Sequence, residues 1–384
     1  MANLKKSLKH SAINTLTLIN EILNRKKRIE TISHKFYKTP IVPHLIVPDT
    51  KADEKDIYYA ERVLLAYHKA IADYRAPDYD IWTMISENQA KFISVLNSKD
   101  PVQLANYLCN MNREDATIGT VQGNGVYDRL VRDSSYRKYI ALAAKDKLVS
   151  LAEAIGVLNI ENPEQGTYGE NIHQDSEKLF EDICSFIGHD LTPPDIDSGL
   201  LKIKIGKALL SERDINAIYT AYMIKSSKKV CEIGGGGGRA CLWSKKFGVS
   251  EYTILDLPHI NVVQGFYLLK SISDAVSLFG ESDKEIRIMP AHVLPNEKFD
   301  LILNQDSFPE IDKNTVIEYL NWIKDHANEF LSINFESKAP FPKGGQHLNV
   351  SELIRELGIF KRIERNQYWV RKGYIMERYS PVYI

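Results

Sequence analysis

Residues 228–256, KKVCEIGGGGGRACLWSKKFGVSEYTILD, set acids and glycines at a spacing that can hold a nucleoside. Glu232 stands near the end of a short apolar run, Val230 to Ile233, and five glycines, Gly234 to Gly238, follow at once. A second apolar run, Tyr252 to Leu255, ends in Asp256. Glycine has no Cβ, so this backbone can turn sharply and approach a ligand closely. A helix starting after the loop would point free N–H groups and a positive dipole end at an anion. Asp256 suits a ribose, because a carboxylate accepts hydrogen bonds from both hydroxyls. Five consecutive glycines are costly in chain entropy, so a turn with no ligand would rarely use them.

Two cofactor fingerprints compete for these residues. The dinucleotide pattern G-x-G-x-x-G/A fails from Gly234, where the last position is Arg239, but its looser form fits Gly235, Gly237 and Ala240. The pattern D/E-x-G-x-G-x-G fits fully through Glu232, Gly234, Gly236 and Gly238. In this second pattern the chain resembles class I S-adenosylmethionine-dependent methyltransferases. The resemblance implies S-adenosylmethionine as cofactor, with the glycine loop at its methionine end. It places Asp256 and the adjoining Leu257 at the ribose, and Ala291 and His292 beside the adenine.

The elements needed to position these residues are readable from pattern. Strands are expected at Val230–Ile233, Tyr252–Leu255, Arg287–Pro290, Phe299–Asn304 and Phe330–Asn334, with helices over 313–328 and 350–357 and two β-rich runs near 359–365 and 373–379. Strands alternating with helices imply a parallel, doubly wound sheet. The resemblance makes it an α/β, Rossmann-like class I methyltransferase domain, a seven-stranded sheet closed by a C-terminal antiparallel hairpin. Ligands in such sheets lie beyond the carboxyl ends of the strands. Ser211, followed by acids at 212 and 214, reads as a capped helix start over 210–225. A helix at this place in class I methyltransferases often covers the cofactor, so Tyr219 and Tyr222 either face the methionine portion or pack on the sheet.

Ahead of residue 200 the pattern is mainly helical, with helices expected over Asp53–Tyr74, Ile81–Leu96, Val102–Met111, Tyr127–Ile155 and about 174–187. Ala76-Pro77 punctuates the first of these. The segment LTPPDIDSG, 191–199, is the expected connector, giving a helical domain over 1–199 for acceptor recognition or dimerisation and a cofactor-binding domain over 200–384. The first 28 residues read as an amphipathic helix with basic ends, suited to packing or dimerisation, or to an anionic membrane surface.

Several segments together resemble one bacterial family, the sugar O-methyltransferases related to the nanchangmycin sugar methyltransferase. They are the Tyr-rich helix 215–224, CEIGGGGGRA (231–240), YTILDLPHINVVQGFYL (252–268), LILNQDSFPEID (301–312) and FLSINFE (330–336). The resemblance covers roughly 190–384 and implies transfer of a methyl group to a hydroxyl of a sugar or glycan precursor. Asn304 and Glu310 match the family's pattern after the fourth strand, while Asp306 stands outside it.

Such a transfer needs a base for the hydroxyl proton or a metal to acidify it. Four side chains fall at the right end of the sheet, taken in the order Asp306, His347, His292 and Glu310. Asp306, Glu310, Asp312 and Glu336 could also offer oxygen ligands to Mg²⁺, but their spacing is not diagnostic and assigns no metal site.

Bulk properties exclude other classes. With 49 basic and 50 acidic residues the net charge is −1, so the chain lacks the electrostatic footprint of a nucleic-acid-binding protein. No apolar run approaches the ~18 residues of a membrane span, and the N-terminus lacks a signal-peptide core. Cys109, Cys184, Cys231 and Cys241 form no C-x-x-C pair and read as thiols of a reduced, cytoplasmic protein. A homodimer acting on a small molecule or glycan precursor is the expectation. Other readings are methylation of a phosphorylated or natural-product hydroxyl or of a nitrogen, an NAD(P)-dependent oxidoreductase, and a cofactor-binding partner protein without catalysis.

Overall fold

The computed structural model describes residues 41, 43–47, 51–75, 81–162, 164, 169–196, 198–340 and 346–383. The expected N-terminal helix, the Ala76-Pro77 break and part of the loop before His347 lie outside these residues.

The helical portion holds α1 (Glu54–Ile71), α2 (Ile81–Glu87), α3 (Ala90–Ser98), α4 (Pro101–Leu108), α5 (Asn124–Arg132), α6 (Ser134–Ile155) and α7 (Ser176–Ile187). Local sequence sets several of these ends. Asp53 and Asp56 form a reciprocal capping box at the start of α1, and Asp100 caps α4 ahead of Pro101. Two expected helices are each split in two. Asp133 breaks 127–155, because its carboxylate accepts from the Ser135 and Tyr136 N–H groups and caps a new helix. The break at Asn88 and Gln89 is stabilised from a distance, since the Asp115 carboxylate accepts from the Lys91 and Phe92 N–H groups.

A short strand β1 (Leu45–Ile46) pairs antiparallel with β2 (Lys202–Ile205), which turns into β3 (Ala208–Leu210). This small sheet was not anticipated by the helical reading. Helix α8 (Glu212–Ile224) follows, with Ser211 and Asp214 forming its capping box.

The main sheet contains β4 (Lys229–Ile233), β5 (Glu251–Asp256), β6 (Val276–Leu278), β7 (Ile286–Pro290), β8 (Phe299–Gln305), β9 (Ala327–Phe335), β10 (Phe360–Gln367) and β11 (Tyr374–Pro381). Helices α9 (Arg239–Lys246), α10 (Pro258–Ile272), α11 (Lys313–His326) and α12 (Val350–Leu357) connect it. Its order is β10-β11-β9-β8-β4-β5-β7-β6. All pairs are parallel except those of β11, which lies antiparallel between β9 and β10. There are eight strands rather than seven. The addition is β6, whose three residues, VSL, are too short to announce a strand.

The strand order reverses between β4 and β8, so loops leaving these two strands diverge and open a crevice at their carboxyl ends. The helical portion is fastened to the sheet layer. Val63 of α1 lies where a Cβ on Gly265 of α10 would be 2.9 Å from it, and one apolar core runs from Tyr59, Val63 and Leu104 to Ile254, Val262 and Ile288. Lys270 of α10 meets Asp56 at 2.5 Å, and Arg62 meets Glu281 at 2.6 Å.

Candidate active site

A cavity of about 460 Å³ occupies that crevice. The glycine loop forms its floor, and the loops after β5, β7 and β8 form its walls. The helical portion supplies the roof through Tyr74, Arg75, Trp82 and Gly119 to Val121.

The floor is built on glycine for steric reasons. Gly234 has φ +76°, and a Cβ there would collide with the Ser307 side chain. Ser307 cannot easily retreat, because its hydroxyl donates to the Ile233 carbonyl (3.1 Å) and accepts from Asn304 Nδ2 (2.5 Å). At Gly237 a Cβ would sit 2.9 Å from Val121 Cγ2, so the roof rests directly on the loop. Space above Gly236 is open: nothing lies within 4 Å of where a side chain would project. A ligand can therefore lie against bare backbone at the N-terminal end of α9.

Two buried acids face this space. Asp256 accepts from the N–H groups of Gly236 (3.0 Å) and Leu257 (2.8 Å) and from Gln264 Nε2 (2.6 Å). Burial nevertheless pushes its pKa up to about 6. Glu232 accepts from the Tyr252 hydroxyl at 3.0 Å, and burial pushes it up to about 7. Beside Asp256 the walls turn apolar and flat. Leu257, Ala291 and Leu294 line a slot closed by Tyr74, whose ring lies 5.4 Å from that of His292. The Tyr319 hydroxyl fixes this wall by donating to the Ala291 carbonyl at 2.9 Å. A buried acid next to an apolar slot, with open glycine backbone beyond, is a shape into which a nucleoside joined to a compact polar tail would fit.

The other half of the cavity is charged. Asp306 closes β8 with φ +69°, in the left-handed region that Asp tolerates better than most residues. Its N–H is held by the Ile333 carbonyl and by Asn334 Oδ1, both at 3.0 Å. Its carboxylate meets Arg371 at 2.5 Å and accepts from the Tyr374 hydroxyl at 2.5 Å. Glu310 lies one short turn further on, in the 3-10 segment Phe308–Glu310. It has no ion-pair partner among the described residues. Burial, with Asp306 nearby, pushes its pKa up to about 8, against a smaller downward pull from Arg371.

Of the residues singled out from sequence, Glu232, Gly234, Gly236, Asp256, Leu257, Ala291, His292, Asp306 and Glu310 all line the cavity. Gly238, Asn304, Tyr222 and His347 do not. Gly238 is the residue preceding α9 and turns away beneath the loop. Asn304 is fully buried under the floor, bonded to the Ile233 carbonyl, Ser307 and Asn334, so it shapes the site without reaching it. Tyr222 points off the cavity face of α8 and lies under Lys225, with Nζ 3.7 Å from its ring. Tyr219 packs on Tyr368 at 5.2 Å. Arg213, Asn216 and Ala217 are the α8 residues that reach the cavity. His347 sits outside, with Nδ1 3.0 Å from the Ala339 carbonyl and its ring edge-on to Phe335. Tyr74 and Trp82 belong to the aromatic-rich helical part, whose rings suit either a sugar or core packing, and both line the cavity. Arg371 had no sequence signal, since it lies in the turn between β10 and β11.

A scan against protein-family models gives no match, and a search of curated proteins gives none either. Solved structures do match over 44% of the chain. The N-methyltransferase NodS from Bradyrhizobium japonicum WM9 is 14% identical with a TM-score of 0.35 over 87% of its own length. The magnesium protoporphyrin IX methyltransferase from Synechocystis PCC 6803 is 12% identical with a TM-score of 0.33 over 82% of its length. The ribosomal protein L11 methylase from Lactobacillus delbrueckii subsp. bulgaricus is 14% identical with a TM-score of 0.30 over 78%. Scores this low carry no argument by themselves; the strand order does. The fold is the Rossmann-like methyltransferase fold.

Among the described residues no three His, Cys, Asp or Glu side chains converge as metal ligands. Asp312 is used to cap α11, and Glu336 pairs with Arg365 at 2.9 Å. Nor, among these residues, is any helix long and apolar enough to cross a membrane.

Proposed function

We propose that the chain is an S-adenosylmethionine-dependent methyltransferase that methylates a hydroxyl of a sugar or sugar-derived molecule. One observation carries the cofactor reading. The pattern Glu232-x-Gly234-x-Gly236-x-Gly238 leaves the central strand β4 at the switch point, with Asp256 ending β5, in a sheet whose last strand is inserted antiparallel. The reading of the acceptor as a sugar rests on the family resemblance of residues 190–384 and is supported by Trp82 in the roof, since an aromatic face can stack on a sugar ring.

In this reading Asp256 binds the ribose, Leu257, Ala291 and Tyr74 enclose the adenine, and the loop 234–237 receives the methionine end. When bound, S-adenosylmethionine supplies a methyl group activated on a sulfonium. Glu310 is the base: it takes the proton of the acceptor hydroxyl as the oxygen–methyl bond forms and the methyl–sulfur bond breaks, the sulfur keeping the electron pair. Asp306 is the weaker candidate because Arg371 and Tyr374 already stabilise its charge. It positions Arg371 through their ion pair. The roof excludes water from the transfer.

Calorimetric titration with S-adenosylhomocysteine, with NADH as control and Asp256→Ala as the site variant, tests the cofactor. Micromolar binding of S-adenosylhomocysteine that Asp256→Ala abolishes is expected. Binding of NADH alone would sink the proposal.

A further inference from the structure

Charge at the acceptor end of the cavity exceeds what methyl transfer to a neutral sugar requires. Arg213 and Arg371 both line the cavity there, on α8 and on the β10–β11 turn. Burial first, and then the Arg371 charge, lowers the Arg213 pKa, against smaller upward pulls from Glu212 and Asp306. Lys147 of α6 stands nearby and feels both arginines, after burial and its Glu212 partner. Two carboxylates with fixed partners face these three cations. Glu212 takes Lys147 at 3.1 Å, and Asp306 takes Arg371 at 2.5 Å. Glu310, pushed up to about 8, is mostly neutral at pH 7 and carries a negative charge only in the minority form that acts as the base.

Arg213 is left over. Its Nε donates to the Val121 carbonyl at 3.2 Å, and among the described residues no carboxylate lies within ion-pair distance of it. Its attractive charges, Glu212 and Asp306, act only from beyond ion-pair distance and are already paired with Lys147 and Arg371. An arginine so held in a cavity is costly, and a second like charge in the same cavity is costlier still. The cofactor does not remove the excess. Its methionine end is a zwitterion, whose carboxylate and ammonium cancel, and its sulfonium adds a further positive charge. A negative charge must come from the remaining ligand.

We propose that the acceptor carries an oxyanion, a carboxylate or a phosphate group, which Arg213 and Arg371 bind together beside Glu310. This rests on the methyltransferase reading above and narrows its substrate to acidic sugars. A guanidinium fork matches the paired oxygens of either group. Asp306 holds one face of Arg371 and so fixes the direction of its remaining nitrogens. The anion anchors the acceptor at the end of the cavity away from the Asp256 slot, so that a hydroxyl elsewhere on the ring can face Glu310.

The test uses the full-length protein saturated with S-adenosylhomocysteine, titrated at constant ionic strength with inorganic phosphate, acetate, glucose 1-phosphate, glucuronate and glucose. Phosphate or acetate is expected to bind, and the matching acidic sugar to bind at least tenfold more tightly than glucose. Which of the two acidic sugars gains decides between phosphate and carboxylate. Arg213→Gln and Arg371→Gln should each weaken the anion at least tenfold while S-adenosylhomocysteine affinity stays within twofold, and Arg371→Lys should restore part of it. Absence of anion binding to the saturated native protein overturns the proposal without any variant. So does displacement of S-adenosylhomocysteine by phosphate or acetate, or its loss in Arg213→Gln, since Arg213 would then serve the cofactor carboxylate. Failure of S-adenosylhomocysteine to bind at all removes the methyltransferase reading itself, and the first titration shows it.

Discussion

Asp306 and Glu310 share one cavity wall, but Arg371 lies 2.5 Å from Asp306 and, among the described residues, Glu310 has no ion-pair partner. A carboxylate whose charge is already satisfied is a poor proton acceptor; one raised to about 8 is a strong base once ionised. Glu310→Gln should therefore lower methyl transfer by about 10²–10⁴-fold, the usual worth of a positioned base, with S-adenosylhomocysteine affinity retained. In the native protein kcat/KM should rise with pH through about 8, because only the ionised form accepts the proton. Folding stability should move the other way. The folded pKa lies above the ordinary 4.5, so the folded state binds the proton more tightly and loses stability as pH climbs from 4.5 to about 8. Glu310→Gln should flatten that part of the curve. Equal rates for variant and native protein at pH 8 would remove Glu310 from the chemistry.

Asp256 gives cofactor binding an acid limb. Burial raises it from 3.8 to about 6, so below pH 6 its folded form gains a proton and can no longer accept from two hydroxyls at once. The S-adenosylhomocysteine dissociation constant should be flat above pH 7 and grow by up to about tenfold per pH unit below 6, the limit for one linked proton. Titrations at pH 5, 6, 7 and 8 check this. An affinity that does not change between pH 5 and 7 would mean that the ionised carboxylate does not hold the ribose.

The floor of the site was legible in sequence because each of its demands falls on one short stretch of chain. Close approach requires glycine at 234 to 237, and the acids 232 and 256 end the strands that bracket the loop. Helix α12 could be placed over residues 350–357 because Gly358 ends it. What escaped the reading depends on residues distant in sequence. A new helix starts after Gln89 because Asp115, 24 positions beyond Lys91, accepts from the Lys91 and Phe92 N–H groups. Arg371 becomes a site residue only when β11 folds back between β9 and β10 and brings the preceding turn over β8. Tyr222 and Arg213 lie on one helix, and only its seating on the sheet determines which of them sees the cavity.

Asn304 holds three segments together below the floor, bonding the Ile233 carbonyl, Ser307 and Asn334 while itself fully buried. Asn304→Ala would leave one Asn334 side-chain N–H without its acceptor, while the Ile233 carbonyl keeps the Ser307 hydroxyl. The expected loss is about 1–3 kcal/mol of stability, the penalty of an unsatisfied buried group. Because Ser307 then no longer has to sit beneath Gly234, cofactor affinity should also fall, though Asn304 does not line the cavity. Denaturant titration and calorimetry on the same sample separate the two effects. A stability loss with unchanged affinity would show that the floor holds its shape without Asn304.

Lys270 and Asp56 join the sheet layer to the helix that precedes the roof, at 2.5 Å, with the Cys109 thiol donating to the same carboxylate at 3.3 Å. Asp56 is buried, burial has driven the neighbouring thiol up to about 12, and among the described residues the cation within ion-pair distance of this carboxylate is Lys270. Lys270→Met keeps the apolar stem and removes the charge. The stranded carboxylate should cost about 3–5 kcal/mol at neutral pH, as a broken buried pair does. It can reduce that cost by taking a proton, which raises its folded pKa above the unfolded value. The variant should accordingly lie closest to the native protein near pH 4 and fall further behind as pH rises toward 8. Since α1 leads directly to Tyr74 and Arg75, S-adenosylhomocysteine affinity should weaken along with stability at high pH and recover with it at low pH, down to the point where Asp256 protonates. Denaturant midpoints at pH 4.5 and 7.5 test the coupling. A penalty that does not change with pH would mean that Asp56 keeps its charge in the variant and that the two layers are held by apolar packing alone.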